Sequence, residues 1–227
     1  MGIYTGRVSE IILNPDGSRS ALIGCPDKAV PSAGRYLLAH DRESILSAPL
    51  FLARIAAGGF LAASPVPESW YPGTALNLRG PFGHGFHLPA GLQRLSLIEY
   101  GGSAARLLPV IGMALEKGAA VTLFGEAIVP GLASSVEAYP LSAFQEMQGW
   151  ADYLVVDAPL EALPDFWREM GRTLTGYSVP GQALVFAPMP CGGLGECGAC
   201  AVQSHRSWKL ACKDGPVFNL KDLEKTF

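Results

Sequence analysis

Over residues 1–90 the apolar positions fall in short runs, each broken by a turn. Residues 7–13 alternate loosely between polar and apolar, the period of a half-buried strand. Asn14-Pro15-Asp16-Gly17 follows. There Pro presets φ and Gly supplies the left-handed position, so the chain turns, and residues 20–24 return from it. Residues 34–40 predict a further strand. Residues 49–55 and 59–63 predict a hairpin around Ala57-Gly58, and residues 75–80 a strand after the turn Tyr71-Pro72-Gly73. Six such runs at short, regular intervals predict a small antiparallel barrel.

The period changes after Pro89. Residues 94–100 read as a strand, and Gly101-Gly102-Ser103 opens a helix over 104–117. Its apolar positions at 107, 108, 110, 111, 114 and 115 follow the helical repeat, and Gly118 is placed to stop it. Residues 120–125 and 136–139 predict strands and 140–148 a helix. Residues 153–157 form an apolar run of the buried parallel kind, 163–174 a helix, and 182–187 a last strand. Strand and helix alternate, which predicts a parallel α/β sheet. The fold expected is therefore an α+β multidomain one. It divides into an N-terminal β-barrel at 1–90, an α/β domain of nucleotide-binding type at 91–187 and a C-terminal segment at 188–227, with boundaries near 89–93 and 187–190.

Composition adds two points. The chain is 49 % hydrophobic and 16 % charged, against about 25 % charged in an average protein. Such a surplus thickens the core or covers a surface that faces a partner. The net charge is −3, with no basic run, which argues against nucleic acid as a partner. Met1-Gly2-Ile3-Tyr4-Thr5-Gly6-Arg7 lacks the apolar centre of a signal peptide. No run reaches the roughly 18 apolar residues of a membrane span, so a cytoplasmic protein is expected.

The chemistry is concentrated near the end. Cys191, Cys197, Cys200 and Cys212, four of the five cysteines, stand in the pattern C-x5-C-x2-C-x11-C. Glycines at 192, 193, 195 and 198 lie among them, and glycine lets backbone N–H groups approach a bound group closely. A thiolate-rich, glycine-rich wrap with one distant fourth thiol suits a [2Fe–2S] cluster, which takes two cysteines per iron. Structural zinc is the simpler alternative, but zinc ribbons usually bring two C-x2-C knuckles and one is present. A disulfide framework is weaker, because a chain of this length buries a core without staples. Cys25 stands apart in a Gly-Cys-Pro turn and reads as a small hydrophobe. His40, His84, His87 and His205 have no ligand-type spacing among themselves or with the cysteines.

Two further stretches carry a resemblance. Gly80-Pro81-Phe82-Gly83-His84-Gly85-Phe86 looks like a G-P-x-G-x-G-F turn, and Cys212-Lys213-Asp214-Gly215-Pro216-Val217-Phe218 like a C-x-D-G-P-x-F ending. With the cysteines and the order of domains, they make the chain resemble the iron–sulfur electron-transfer subunit of type B dihydroorotate dehydrogenase, an enzyme of pyrimidine biosynthesis. That subunit is ferredoxin–NADP reductase-like. The resemblance implies FAD and a [2Fe–2S] cluster in this chain, and electron relay between NAD(H) and FMN in a separate catalytic flavoprotein subunit. Similar subunits accompany other oxidoreductases.

Set against that family, the chain departs at four places. The family has four residues between its first two cysteines and this chain has five, so strict register falls on Gly192, which has no ligand atom. Cys191 is the adjacent thiol. The family's Arg-x-Tyr-Ser/Thr flavin motif corresponds to Ser47-Ala48-Pro49-Leu50-Phe51-Leu52, without the arginine, tyrosine or hydroxyl at the motif positions. Its G-G-x-G-x-x-P-L nucleotide loop corresponds to Gly101-Gly102-Ser103-Ala104-Ala105-Arg106-Leu107-Leu108, and its C-G-P to Asp157-Ala158-Pro159. Gly101, Gly102 and Ser103 remain candidates for a phosphate at a helix start, with Ser103 equally suited to cap the helix. Three functions follow, the first two being an electron-transfer subunit and a non-catalytic iron–sulfur module that senses redox state on a reductase fold. A zinc-stabilised structural protein is the third.

Overall fold

The computed structural model describes residues 2–126, 129, 131–147, 149–177, 179–205 and 207–223. Strands β1 (Gly2–Leu13), β2 (Arg19–Gly24), β3 (Tyr36–His40), β4 (Ala48–Ala56), β5 (Gly59–Ala62) and β6 (Ala75–Phe82) close a barrel in the order β1-β2-β5-β4-β3-β6. Every neighbouring pair is antiparallel. Alternation along the strands sends Ile23, Leu37, Leu50, Phe60 and Leu78 into the barrel interior. β3 is apolar on both faces for a reason. Leu37 and Ala39 face the barrel interior, while Tyr36 and Leu38 face a second core.

That second core belongs to the α/β half. After β7 (Arg94–Glu99) come α1 (Leu108–Glu116), β8 (Ala120–Phe124), β9 (Val136–Tyr139), β10 (Tyr153–Pro159), α2 (Leu163–Tyr177) and β11 (Gly181–Phe186). The C-terminal segment adds β12 (Ala201–Gln203), β13 (Trp208–Leu210), α3 (Ala211–Asp214), β14 (Val217–Asn219) and α4 (Leu220–Leu223). The sheet order is β14-β11-β10-β7-β8-β9. Its five strands from β7 to β11 run parallel, as the alternation predicts, and β14 joins antiparallel at the edge. The chain starts in the middle of the sheet at β7 and later returns to β10 beside it. The order therefore reverses between those two strands, where open α/β sheets place their ligands.

Two helices expected from the sequence are shorter than their apolar period suggests. The span 104–117 divides into a 3-10 turn at Ala104–Arg106 and α1. Pro109 sits in the first turn of α1, where it lacks an N–H to donate and its ring would clash with a helical carbonyl at 105. At the other end Gly118 takes φ +75°, with Ala119 N–H donating to Ala114 O and Gly118 N–H to Leu115 O. This is the stop expected of a left-handed C′ glycine. The span 140–148 narrows to a 3-10 turn, Leu141–Gln145, and Gln148 lies outside the described residues. Among the described residues no helix is long and apolar enough to cross a membrane.

Candidate functional site

The cysteine loop leaves β11 and is shaped by its glycines. Gly192 N–H closes a turn onto Met189 O at 2.9 Å, and Gly192 and Gly193 take consecutive φ values of +64° and +78°. Only glycine adopts such a pair without strain. It lets the loop absorb the extra residue between the first two cysteines. The next backbone N–H groups then turn back on Cys191. Those of Glu196, foremost, and of Gly195 and Cys197 donate to its sulfur and hold its thiol well down, to about 6. Cys197 lies within side-chain hydrogen-bond reach of the same sulfur.

The second pair is made by a hairpin. β12 pairs with β13 through Ala201↔Leu210, and Ala211 N–H donates to Cys200 O at 2.9 Å. Cys200 just before the hairpin thus meets Cys212 just after it. Both are buried, at 1 % and 4 % exposure. Burial, with the neighbouring Cys200, pushes the Cys212 thiol up to about 12.

The barrel holds this assembly from below. Tyr36 OH donates to Cys212 O at 2.8 Å, and Arg79 Nη2 to Gly192 O at 2.8 Å. Gly193 lies against Leu38 and the Tyr36 hydroxyl. His84 donates its N–H to Gly215 O at 2.7 Å, which docks the ending at 212–218 onto the turn at 80–86. The two sequence motifs therefore meet in space.

Four thiols stand in two adjacent pairs, Cys191 with Cys197 and Cys200 with Cys212. A [2Fe–2S] cluster needs two thiolates on each of two irons, together with N–H donors to sulfur. The donor set fits the cluster.

Comparison with known proteins agrees. Residues 187–224 match the iron–sulfur cluster binding domain of dihydroorotate dehydrogenase B. The C-terminal segment is an iron–sulfur domain of this type. It is also 53 % identical over 38 residues to the sulfhydrogenase 1 subunit gamma of Pyrococcus furiosus, covering 17 % of this chain and 13 % of that protein. Among solved structures, an NADH-dependent reduced ferredoxin–NADP oxidoreductase superposes with a TM-score of 0.77 at 18 % identity, over 96 % of this chain and 89 % of the other. A ferredoxin reductase of carbazole 1,9a-dioxygenase gives 0.60 at 15 % identity, over 82 % and 69 %. A cytochrome P450 reductase of Amycolatopsis gives 0.58 at 18 % identity, over 82 % and 68 %. These likenesses establish a ferredoxin–NADP reductase-like fold.

On that fold the loop 101–103 lies at the carboxyl end of β7, beside β10. Gly102 N–H donates to Glu99 Oε1 at 2.8 Å and Ser103 N–H to Asp157 Oδ1 at 3.0 Å. The Ser103 hydroxyl caps nothing and pairs with Ser64 Oγ at 2.9 Å. Arg106 and Asp157 form a buried ion pair at 2.7 Å, 2 % and 0 % exposed. Burial pushes the Glu99 carboxyl above its ordinary range. At the stretch 47–52, Leu50 lies inside the barrel and Phe51 packs its ring against Tyr36 and Phe186, at 5.7 and 6.0 Å between centroids. Arg42 and Arg54 are exposed. The side chains of that stretch do not fit a flavin held in the family's manner.

Sequence reasoning missed Tyr36 and Arg79, which reach the cluster loop from the barrel, and the group Glu99, Arg106 and Asp157. The last left a trace in the sequence: Asp157 ends the apolar run 153–156, and Arg106 interrupts the apolar run 104–108. His205 N–H donates to Asp222 O and stands outside the thiol pairs. Cys25 is half-buried against the barrel core, where burial and then Asp27 raise its thiol.

Proposed function

We propose that this chain is an electron-transfer subunit. It passes single electrons through a [2Fe–2S] cluster, held by Cys191, Cys197, Cys200 and Cys212, to or from a flavoprotein partner. The arrangement of four thiols in two pairs under a nest of N–H groups carries this reading. The partner of best fit is an FMN-bearing catalytic subunit of the dihydroorotate dehydrogenase kind, and the compartment a reducing cytoplasm.

The cluster, when bound, supplies one-electron chemistry. The chain's own residues do the rest. The N–H groups of Gly195, Glu196 and Cys197 favour the anionic sulfur at Cys191, and such donors raise a cluster's potential. Burial of Cys200 and Cys212 keeps water from that pair. Tyr36 and Arg79 fix the loop against a closed barrel, so that it presents one geometry to its partner. Cys197 is exposed, as is Leu194 at 64 %, and this side of the loop faces outward. An exposed apolar side chain beside a redox site suits a docking edge.

The test is an anaerobic visible spectrum before and after dithionite, with iron, sulfide, zinc and heat-released flavin assayed on the same sample. The expected result is broad absorbance that bleaches, with two irons per chain as two thiol pairs require. A colourless protein containing zinc would overturn the reading.

A further inference from the structure

Open α/β sheets bind nucleotides where the strand order reverses, because the loops part there and leave a crevice at the carboxyl ends of the strands. In this chain that place, between β7 and β10, holds three charged side chains of its own. Glu99 and Asp157 accept the N–H groups of Gly102 and Ser103, the donors that a phosphate would otherwise use. Arg106 donates to both Asp157 oxygens, at 2.8 and 2.7 Å, and to Ser64 O of the barrel at 2.6 Å. Its guanidinium lies 4.5 Å from the centroid of the Phe186 ring, so that a flat ring cannot stack there from the same side. Gly102 has no room for a side chain, since a Cβ would run into Asp157 Oδ1. Among the described residues, no buried side-chain nitrogen or oxygen lacks a hydrogen-bond partner.

We infer that Glu99, Arg106 and Asp157 are a built-in filling of the nucleotide crevice, and that this chain takes up no nicotinamide dinucleotide. A dinucleotide phosphate at this loop would displace two carboxylates from their N–H donors or lie against them. Like charges in a poorly solvated site repel strongly. The guanidinium meanwhile already has its anion. Joined to the electron-transfer reading, on which this consequence rests, the cluster exchanges electrons only with redox centres carried by other proteins.

The experiment titrates NADH and NADPH into the cluster-loaded full-length protein by calorimetry and records dithionite bleaching on the same sample. Neither nucleotide should show saturable binding up to about 1 mM, the weak end of useful affinity, while dithionite bleaches the cluster. Saturable binding of either nucleotide overturns the inference and leaves the electron-transfer reading standing. Absence of bleaching overturns that reading and leaves the inference standing. A triple variant, Glu99→Ala, Arg106→Ala and Asp157→Ala, empties the crevice without leaving a lone buried charge. It should gain at least about tenfold in affinity for NADH or NADPH over the parent. A triple variant that folds by circular dichroism and binds neither overturns the assignment of the filling to these residues.

Discussion

Glu99 shows most directly what a single buried side chain does here. It is 6 % exposed at the end of β7, accepts the Gly102 N–H and faces Asp157 and Arg106 from the neighbouring elements. Burial raises its carboxyl above the ordinary value of 4.5, more than its N–H donors and Arg106 lower it. The folded state then holds the proton more tightly than the unfolded state. Its contribution to stability is therefore greatest below the unfolded value and declines as pH rises toward the folded one. Glu99→Gln keeps an oxygen for Gly102 and removes the charge. Urea midpoints measured across mildly acid pH should decline less steeply with rising pH in the variant than in the parent. An unchanged slope would mean that Glu99 ionises freely in the folded protein.

At the scale of the element, the β12–β13 hairpin is the device that makes the second thiol pair. Its register brings Cys200, just before the hairpin, beside Cys212, just after it. Metal binding and local folding are coupled in such segments, because the ligands have no preformed site in the unfolded chain. Cys200→Ser should therefore lose the cluster absorbance and expose the segment beyond Phe186 to protease. Retained colour and retained protease resistance would show that Cys200 is no ligand. The glycine pair at 192–193 works at the same scale. It turns the loop so that three N–H groups return to Cys191.

At the scale of the molecule, one buried ion pair ties barrel to sheet. Arg106 reaches Ser64 O on the barrel side and Asp157 on β10, with all of its described contacts out of water. Removing one member of such a pair strands the other charge and costs about 3–5 kcal/mol, whereas replacing both with apolar groups costs far less. Arg106→Met alone should lower stability to denaturant by that amount, and Arg106→Met with Asp157→Leu should recover most of it. A double variant as weak as the single would show that the clamp acts through packing rather than charge.

Much of this was legible in the chain itself, wherever the physics is local. Turn chemistry at 14–17 and the period-2 runs up to residue 80 determined the barrel strands, and the change of period after Pro89 determined the α/β half. The spacing of four cysteines among glycines favoured a [2Fe–2S] cluster over zinc or disulfides, because thiolate ligation and φ > 0 turns leave their marks within a few residues. Long-range contact decided the rest. That β14 closes the edge of the main sheet, that Tyr36 on β3 supports Cys212 far along the chain, and that Glu99 and Asp157 accept the N–H groups of Gly102 and Ser103 all depend on which segments meet. An N–H group at a helix start looks the same in sequence whether a phosphate or a neighbouring carboxylate accepts it, and only the folded chain brings that carboxylate within reach.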